Sequence, residues 1–134
     1  MKYLLDTNTC VQFLRYGVSS KVGVRLAAML PSDVRLCSVV LGELLFGALR
    51  SQNVAKSLAE VQSFFSGFQS LPFDDACAEE YAQIRTDLAN KGTPIGGNDT
   101  IIAAIARYHG LTLVTHNTKE FSRVMNLSLD DWQI

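Results

Sequence analysis

The sequence predicts an α/β fold, a single domain over residues 1–134 in which a small parallel sheet of about four to five strands is sandwiched between α-helices. Three observations predict it. Tyr3-Leu4-Leu5, Val34–Cys37 and Leu111–Val114 are short apolar runs with little polar alternation, the pattern of strands buried on both faces. Segments of helical spacing separate these runs, so successive strands are joined by right-handed crossovers. Short polar residues follow the runs directly: Asp6-Thr7-Asn8, Ser38, and Thr115-His116-Asn117. In open α/β sheets that carboxyl edge is where ligands and catalytic groups collect.

Taken in order, Tyr3–Leu5 is the first strand, and Asp6 or Asn8 can cap the helix that follows. Cys10, Val11, Phe13 and Leu14 give the stretch Thr9–Tyr16 its helical spacing, and Gly17 ends it. Ser19 or Ser20 caps a second helix, with Val22, Val24, Leu26, Ala27 and Leu30 inward, up to Pro31. Val34–Cys37 is the second strand, with Ser38 as N-cap of Val39–Arg50. That helix is apolar on nearly every side, so it should be mostly buried, with Glu43 the only charge in its interior. After a break at Ser51–Asn53, the helix Val54–Phe68 buries Leu58, Val61, Phe64, Phe65 and Phe68 as core or interface packing.

Leu71-Pro72-Phe73 reads as a brief extended piece. Asp74 and Asp75 open the helix Ala76–Asn90, where acids suit the positive dipole end. Ala78, Tyr81, Ala82, Ile84, Arg85 and Leu88 mark its packed face, and Glu79, Glu80 and Asp87 its solvated one. After Lys91–Pro94 and a Gly-Gly turn, Thr100–His109 is helical with Ile101, Ile102, Ile105 and Tyr108 inward, and Gly110 stands at C′. Leu111–Val114 is a strand, Lys119–Val124 a short helix and Leu127–Leu129 a last extended segment.

Composition narrows the function classes. A 134-residue chain that is 48% hydrophobic and 19% charged can build its own core and lies outside the disordered class. Its longest apolar stretches, broken by Gly42-Glu43 or Arg107, fall short of a membrane span, and an N-terminus that enters a strand at once carries no secretory signal. Cys10, Cys37 and Cys77 are widely spaced among apolar neighbours and read as buried thiols of a cytoplasmic protein. A net charge of −1 gives no general attraction to nucleic acid, so a polyanionic substrate would need bound cations or a local basic patch. Arg15, Arg50, Lys91 and Lys119 are the candidates for such a patch.

The chemistry points to one edge. Asp6 ends the first strand, Glu43 lies one turn into the helix after the second, and Asp99 opens the helix before the Leu111–Val114 strand. Each has a plainer reading, as turn former, satisfied buried ion or first-turn acid. Together in one cleft, three carboxylates repel and are hard to keep ionised without a cation. Hard divalent ions, Mg²⁺ or Mn²⁺, suit such oxygens and keep waters and phosphate oxygens in their shell. That arrangement suits metal-assisted phosphodiester hydrolysis. No Gly-x-Ser-x-Gly elbow and no Walker lysine offers another nucleophile or phosphate site. His116 is the one histidine near the cleft, either a general acid or a loop residue facing water.

Four motifs carry a family resemblance: Leu5-Asp6-Thr7-Asn8; Val40–Ala48 with Glu43 and Gly47; Pro94-Ile95-Gly96-x-Asn98-Asp99-x-x-Ile102-Ala103-Ala104; and Leu113-Val114-Thr115-x-Asn117-x-x-x-Phe121. In this order they resemble the PIN-domain ribonucleases, most nearly the VapC toxin class of bacterial toxin–antitoxin pairs. The resemblance implies a cytoplasmic Mg²⁺- or Mn²⁺-dependent endoribonuclease acting on structured RNA, often tRNA. It also implies a homodimer silenced by a VapB-type antitoxin. By motif, Asp6 and Asp99 would be the principal metal ligands and Glu43 a further one, direct or through water. Thr7, Asn8, Thr115 and Asn117 would orient them. Two positions depart from the family pattern. Gly97 stands where proline is common, and Asn117 where many PIN nucleases have a fourth acid, a charge that Glu120 could partly replace. A non-catalytic receiver-like signalling domain is the alternative, but Asp6 lacks the acidic neighbour such a domain would want. Asn8 likewise stands where a haloacid-dehalogenase-like phosphatase would need its second carboxylate.

Overall fold

Leu4 and Leu5 point to opposite faces of the strand Tyr3–Leu5 (β1), and both are fully buried, so the sheet is covered on both sides. The computed structural model describes residues 1–134. After β1 come α1 (Thr7–Tyr16), α2 (Lys21–Ala27) and one 3₁₀ turn at Pro31–Asp33. Next are β2 (Val34–Cys37), α3 (Ser38–Leu49), α4 (Val54–Ser66) and β3 (Gln69–Leu71). The chain closes with α5 (Asp75–Asn90), α6 (Gly97–Tyr108), β4 (Thr112–Val114), α7 (Thr118–Phe121) and β5 (Leu129–Asp130).

The five strands run in the order β3-β2-β1-β4-β5, all parallel. Tyr3 pairs with Val34 on one side and Thr112 on the other, and Val114 pairs with Asp130. Strand order therefore reverses at β1, and the carboxyl ends of β1 and β4 frame the crevice where such sheets bind ligands. Around the sheet, α1 packs on α2 and α3, α3 on α4, and α5 on α6. The core runs through β1, β2 and β4 to Ile102–Ala106 of α6, whose alanines allow that helix to approach closely. No helix is long and apolar enough to cross a membrane. All three cysteines are buried and free, as their apolar surroundings predict.

Several boundaries differ from the sequence reading, each for a local reason. Asp6 is the N-cap of α1, so that helix starts at Thr7. α2 stops at Ala27, ahead of the 3₁₀ turn that Pro31 opens, and Val24, Ala27 and Leu30 are exposed where the spacing had them inward. Cys37 caps α3 with no side-chain bond, and Ser38 is its first helical residue. Along α3 only Val40, Leu44 and Ala48 are buried, while Phe46 and Leu49 are exposed.

β3 is Gln69–Leu71 and not Leu71–Phe73, since its backbone pairs with β2 although Gln69 and Ser70 are exposed. An edge strand is specified by its ladder, and its polar residues hid it. On α5 the buried side is Cys77, Ile84 and Leu88, with Ala82 and Arg85 outside. Glu80 is only partly exposed: it forms an ion pair with Arg107 of α6, which also donates to the Met125 carbonyl. Tyr108 is half-exposed, α7 ends at Phe121, and the last strand is Leu129–Asp130.

Candidate active site

The site grows from the end of β1. Asp6 Oδ1 accepts the Thr9 backbone N–H at 2.9 Å, and the Thr9 hydroxyl donates to the Val114 carbonyl at 3.2 Å. The Asp6 backbone N–H reaches the same carbonyl at 3.1 Å. The helix start is thereby tied to β4, and the carboxyl is fixed between them. Asp6 is only 6% exposed. Burial pushes its pKa up; hydrogen bonds from Thr115 and Thr9 hold it down, and the Glu43 charge raises it further.

Glu43 comes from the middle of α3, and its Oε1 accepts the Thr7 hydroxyl at 2.6 Å. Asp99 is the third residue of α6, a position where a negative charge suits the helix dipole. Its Oδ2 folds back to lie 3.6 Å from where a Cβ on Gly96 would stand. Burial, then the charges of Asp6, Glu43 and Glu120, raise its pKa from 3.8 to about 6. Glu120 sits in α7, where its Oε2 accepts from Asn117 Nδ2 at 3.0 Å. Asn117 in turn donates its backbone N–H to the buried Thr115 hydroxyl, also at 3.0 Å.

Four carboxyls thus lie close enough to feel one another, and no lysine or arginine forms a salt bridge with any of them. Of the residues expected from sequence, Asp6, Glu43, Asp99, Thr7, Thr115, Asn117 and Glu120 come together through these bonds and charges. Asn8 does not: it is exposed in the first turn of α1 and makes no side-chain hydrogen bond. Thr9 was missed, although its place three residues after a capping aspartate was a usable signal. Asn98, also missed, lines a groove with Thr7 and Glu43. Gly97 is the first helical residue, so a proline there would meet no obstacle and its absence leaves α6 intact. His116 bonds Asp131 at 2.9 Å on the C-terminal segment.

The donor set is all oxygen, which suits a hard divalent cation. No three of the His, Cys, Asp and Glu side chains stand close enough to cage one ion. Mg²⁺ needs no such cage, because it commonly binds through one or two carboxylates and retained water. The set fits on chemistry, with neighbouring acids raising the pKa of Asp6 and Asp99 in place of a neutralising charge.

Two grooves flank the Thr7–Glu43 pair. One, of about 320 Å³, runs between α1, α3 and α4 past Arg15 and Glu60; the other, of about 610 Å³, passes Gly42, Phe46 and Asn98. Of the other cations expected near the cleft, Arg50 lies over Phe46, Lys91 is paired with Asp87 at 3.0 Å, and Lys119 is exposed beside Glu120. A separate cavity of about 490 Å³ between α5 and the start of α6 has no acid in its lining.

Comparison with known proteins agrees with this geometry. The PIN domain family matches residues 3–127. The tRNA(fMet)-specific endonuclease VapC of Shigella flexneri is 40% identical over 134 residues, covering 98% of each chain. Ribonuclease VapC2 of Rickettsia felis is 35% identical over 132 residues, also covering 98% of each. Among solved structures, the DNA-bound VapBC of Salmonella typhimurium superposes with a TM-score of 0.92 at 36% identity, covering 98% of both chains. VapBC2 of Rickettsia felis, bound to a promoter DNA fragment, gives 0.90 at 34% identity, covering 98% of this chain and 99% of that one. A receiver-like or dehalogenase-like domain is thereby excluded. With its acids at the carboxyl edge of a β3-β2-β1-β4-β5 sheet and relatives matched end to end, this chain belongs to the PIN-domain family and, within it, to the VapC toxin ribonucleases.

Proposed function

We propose that this PIN domain, spanning residues 1–134, is a cytoplasmic Mg²⁺- or Mn²⁺-dependent endoribonuclease that hydrolyses phosphodiester bonds of tRNA or another structured RNA. It is the toxin of a pair whose other member is a VapB-type antitoxin, and it acts as a homodimer. The observation that carries the reading is the cluster of Asp6, Glu43 and Asp99, mutually repelling and without a protein cation, in a chain whose end-to-end relatives are ribonucleases. The partner assignment is supported by the VapBC complexes in which similar chains occur.

Asp6 and Asp99 would hold the cation, with Glu43 binding directly or through water. A divalent ion held there would supply Lewis acidity toward a phosphate oxygen and a lowered pKa for water in its shell. The chain's own residues prepare that position. Thr9 and Thr115 donate to Asp6 and favour its ionised form despite burial. Thr7 fixes the Glu43 carboxylate, and Asn117 fixes Glu120 beside Asp99. Asn8 has no part in this set.

The test is cleavage of a total tRNA pool by antitoxin-free protein in Mg²⁺, in Mn²⁺ and in EDTA. Metal-dependent cutting at discrete sites, absent from Asp6→Asn, is the expected result. Equal cutting in EDTA, or by the variant, would refute the metal mechanism.

A further inference from the structure

Phe46 is 61% exposed on α3 and lines the groove that also holds Thr7, Glu43 and Asn98. It follows Glu43 by three residues, so the two side chains are neighbours on the helix surface. Arg50, one turn further on, places its guanidinium 5.3 Å from the ring centroid. Long side chains on a helix lean toward its N-terminus, so Arg50 covers the ring from one side. The residue that would crowd it from the other side is Gly42, and a Cβ there would meet nothing within 4 Å. The ring is therefore half covered and half bare. Arg50 forms no salt bridge, which leaves its charge free for an anion. In a chain of net charge −1, a free cation at the end of the helix that carries Glu43 is a local attraction for a polyanion.

We propose that Phe46 and Arg50 form a platform on which a base of single-stranded RNA stacks, with Arg50 meeting the adjoining phosphate, so that the strand is led past Glu43. The proposal rests on the nuclease reading and names how that site grips its substrate. Continuity of the ring with the carboxylate groove and the unpaired guanidinium favour RNA over a second protein surface. Stacking on an aromatic ring is tolerant of base identity, since every base has a π-face, so the platform positions the strand and leaves sequence choice to other contacts.

Phe46→Leu keeps an apolar side chain but removes the ring. It should raise KM for an oligoribonucleotide substrate by roughly five-fold or more with little change in kcat. Arg50→Gln should raise KM and flatten its salt dependence. Phe46→Trp gives a readout independent of cleavage, because the only native tryptophan, Trp132, is buried and supplies a constant background. In EDTA, a six-nucleotide oligouridylate should quench the new fluorescence, and an abasic ribose-phosphate oligomer of equal length should not. Equal response to both oligomers, or an unchanged KM for Phe46→Leu, overturns the proposal. So does sedimentation showing that Phe46→Leu splits a parent dimer, which would make this face a contact between copies. A chain that cuts no RNA would defeat the nuclease reading alone, and the quenching would still decide the platform.

Discussion

Asp99→Asn should stabilise the metal-free protein while abolishing its activity, because the charge that would hold the cation is a burden without it. Asp99 is pushed from 3.8 to about 6 by burial and by Asp6, Glu43 and Glu120. At about 1.36 kcal/mol for each pH unit, the rise corresponds to about 3 kcal/mol for a fully shielded carboxylate. The residue is only partly buried, and solvent screening reduces this to about 1 kcal/mol. Losing a favourable charge at the start of α6 gives back roughly 0.3 kcal/mol.

The sign follows from proton uptake. The folded-state pKa lies above the unfolded one, so the folded protein binds more protons between pH 3.8 and about 6. Stability of the parent therefore falls as pH rises through that window, and the asparagine variant escapes the fall. In EDTA at pH 7.5 the variant should melt roughly 3 °C higher by calorimetry; at pH 3 the gain should vanish. Saturating Mg²⁺ should reverse the order by stabilising only the parent. A variant no more stable than the parent at pH 7.5, or equally advantaged at both pH values, would refute the electrostatic account.

Other substitutions separate chemistry from architecture. Asp6→Asn keeps a good N-cap for the Thr9 N–H, so circular dichroism should be unchanged while metal-dependent cleavage and toxicity in a growth assay are lost. Glu43→Gln should cut kcat at least tenfold, about 1.4 kcal/mol in barrier; near-parental turnover would make Glu43 a structural residue only. Gly23→Ala tests the α1–α2 corner, where a Cβ would stand 2.8 Å from Val18 Cα: urea unfolding should show a loss of about 1–3 kcal/mol, with cleavage chemistry untouched.

Much of this architecture was legible because burial on both faces leaves a run with little polar alternation, as at Leu4-Leu5 and at Leu111–Val114, where Thr112 is the one polar residue and is itself buried. A run that stops at an acid marks the edge where chemistry collects, and Asp6 was found that way. What escaped was set by the ladder or by distant partners. Gln69 and Ser70 join the sheet through backbone bonds to β2, which no side-chain pattern announces. Glu80 looked like a surface acid because Arg107, its partner, lies on another helix. α3 looked buried all round, yet the same apolar composition leaves Phe46 and Leu49 facing outward, Phe46 in the groove that holds Glu43. Asn8 shared a motif with Asp6, but its place in the first turn of α1 leaves it exposed.

The claim that Asp6, Glu43 and Asp99 serve one divalent cation is tested most directly by anomalous diffraction from crystals of this protein soaked in Mn²⁺. The expected result is a peak about 2.1 Å from a carboxylate oxygen of Asp6 or Asp99, with Glu43 in contact directly or through one water, and no peak in Asp99→Asn. Metal bound only elsewhere, or bound equally by the variant, would contradict it.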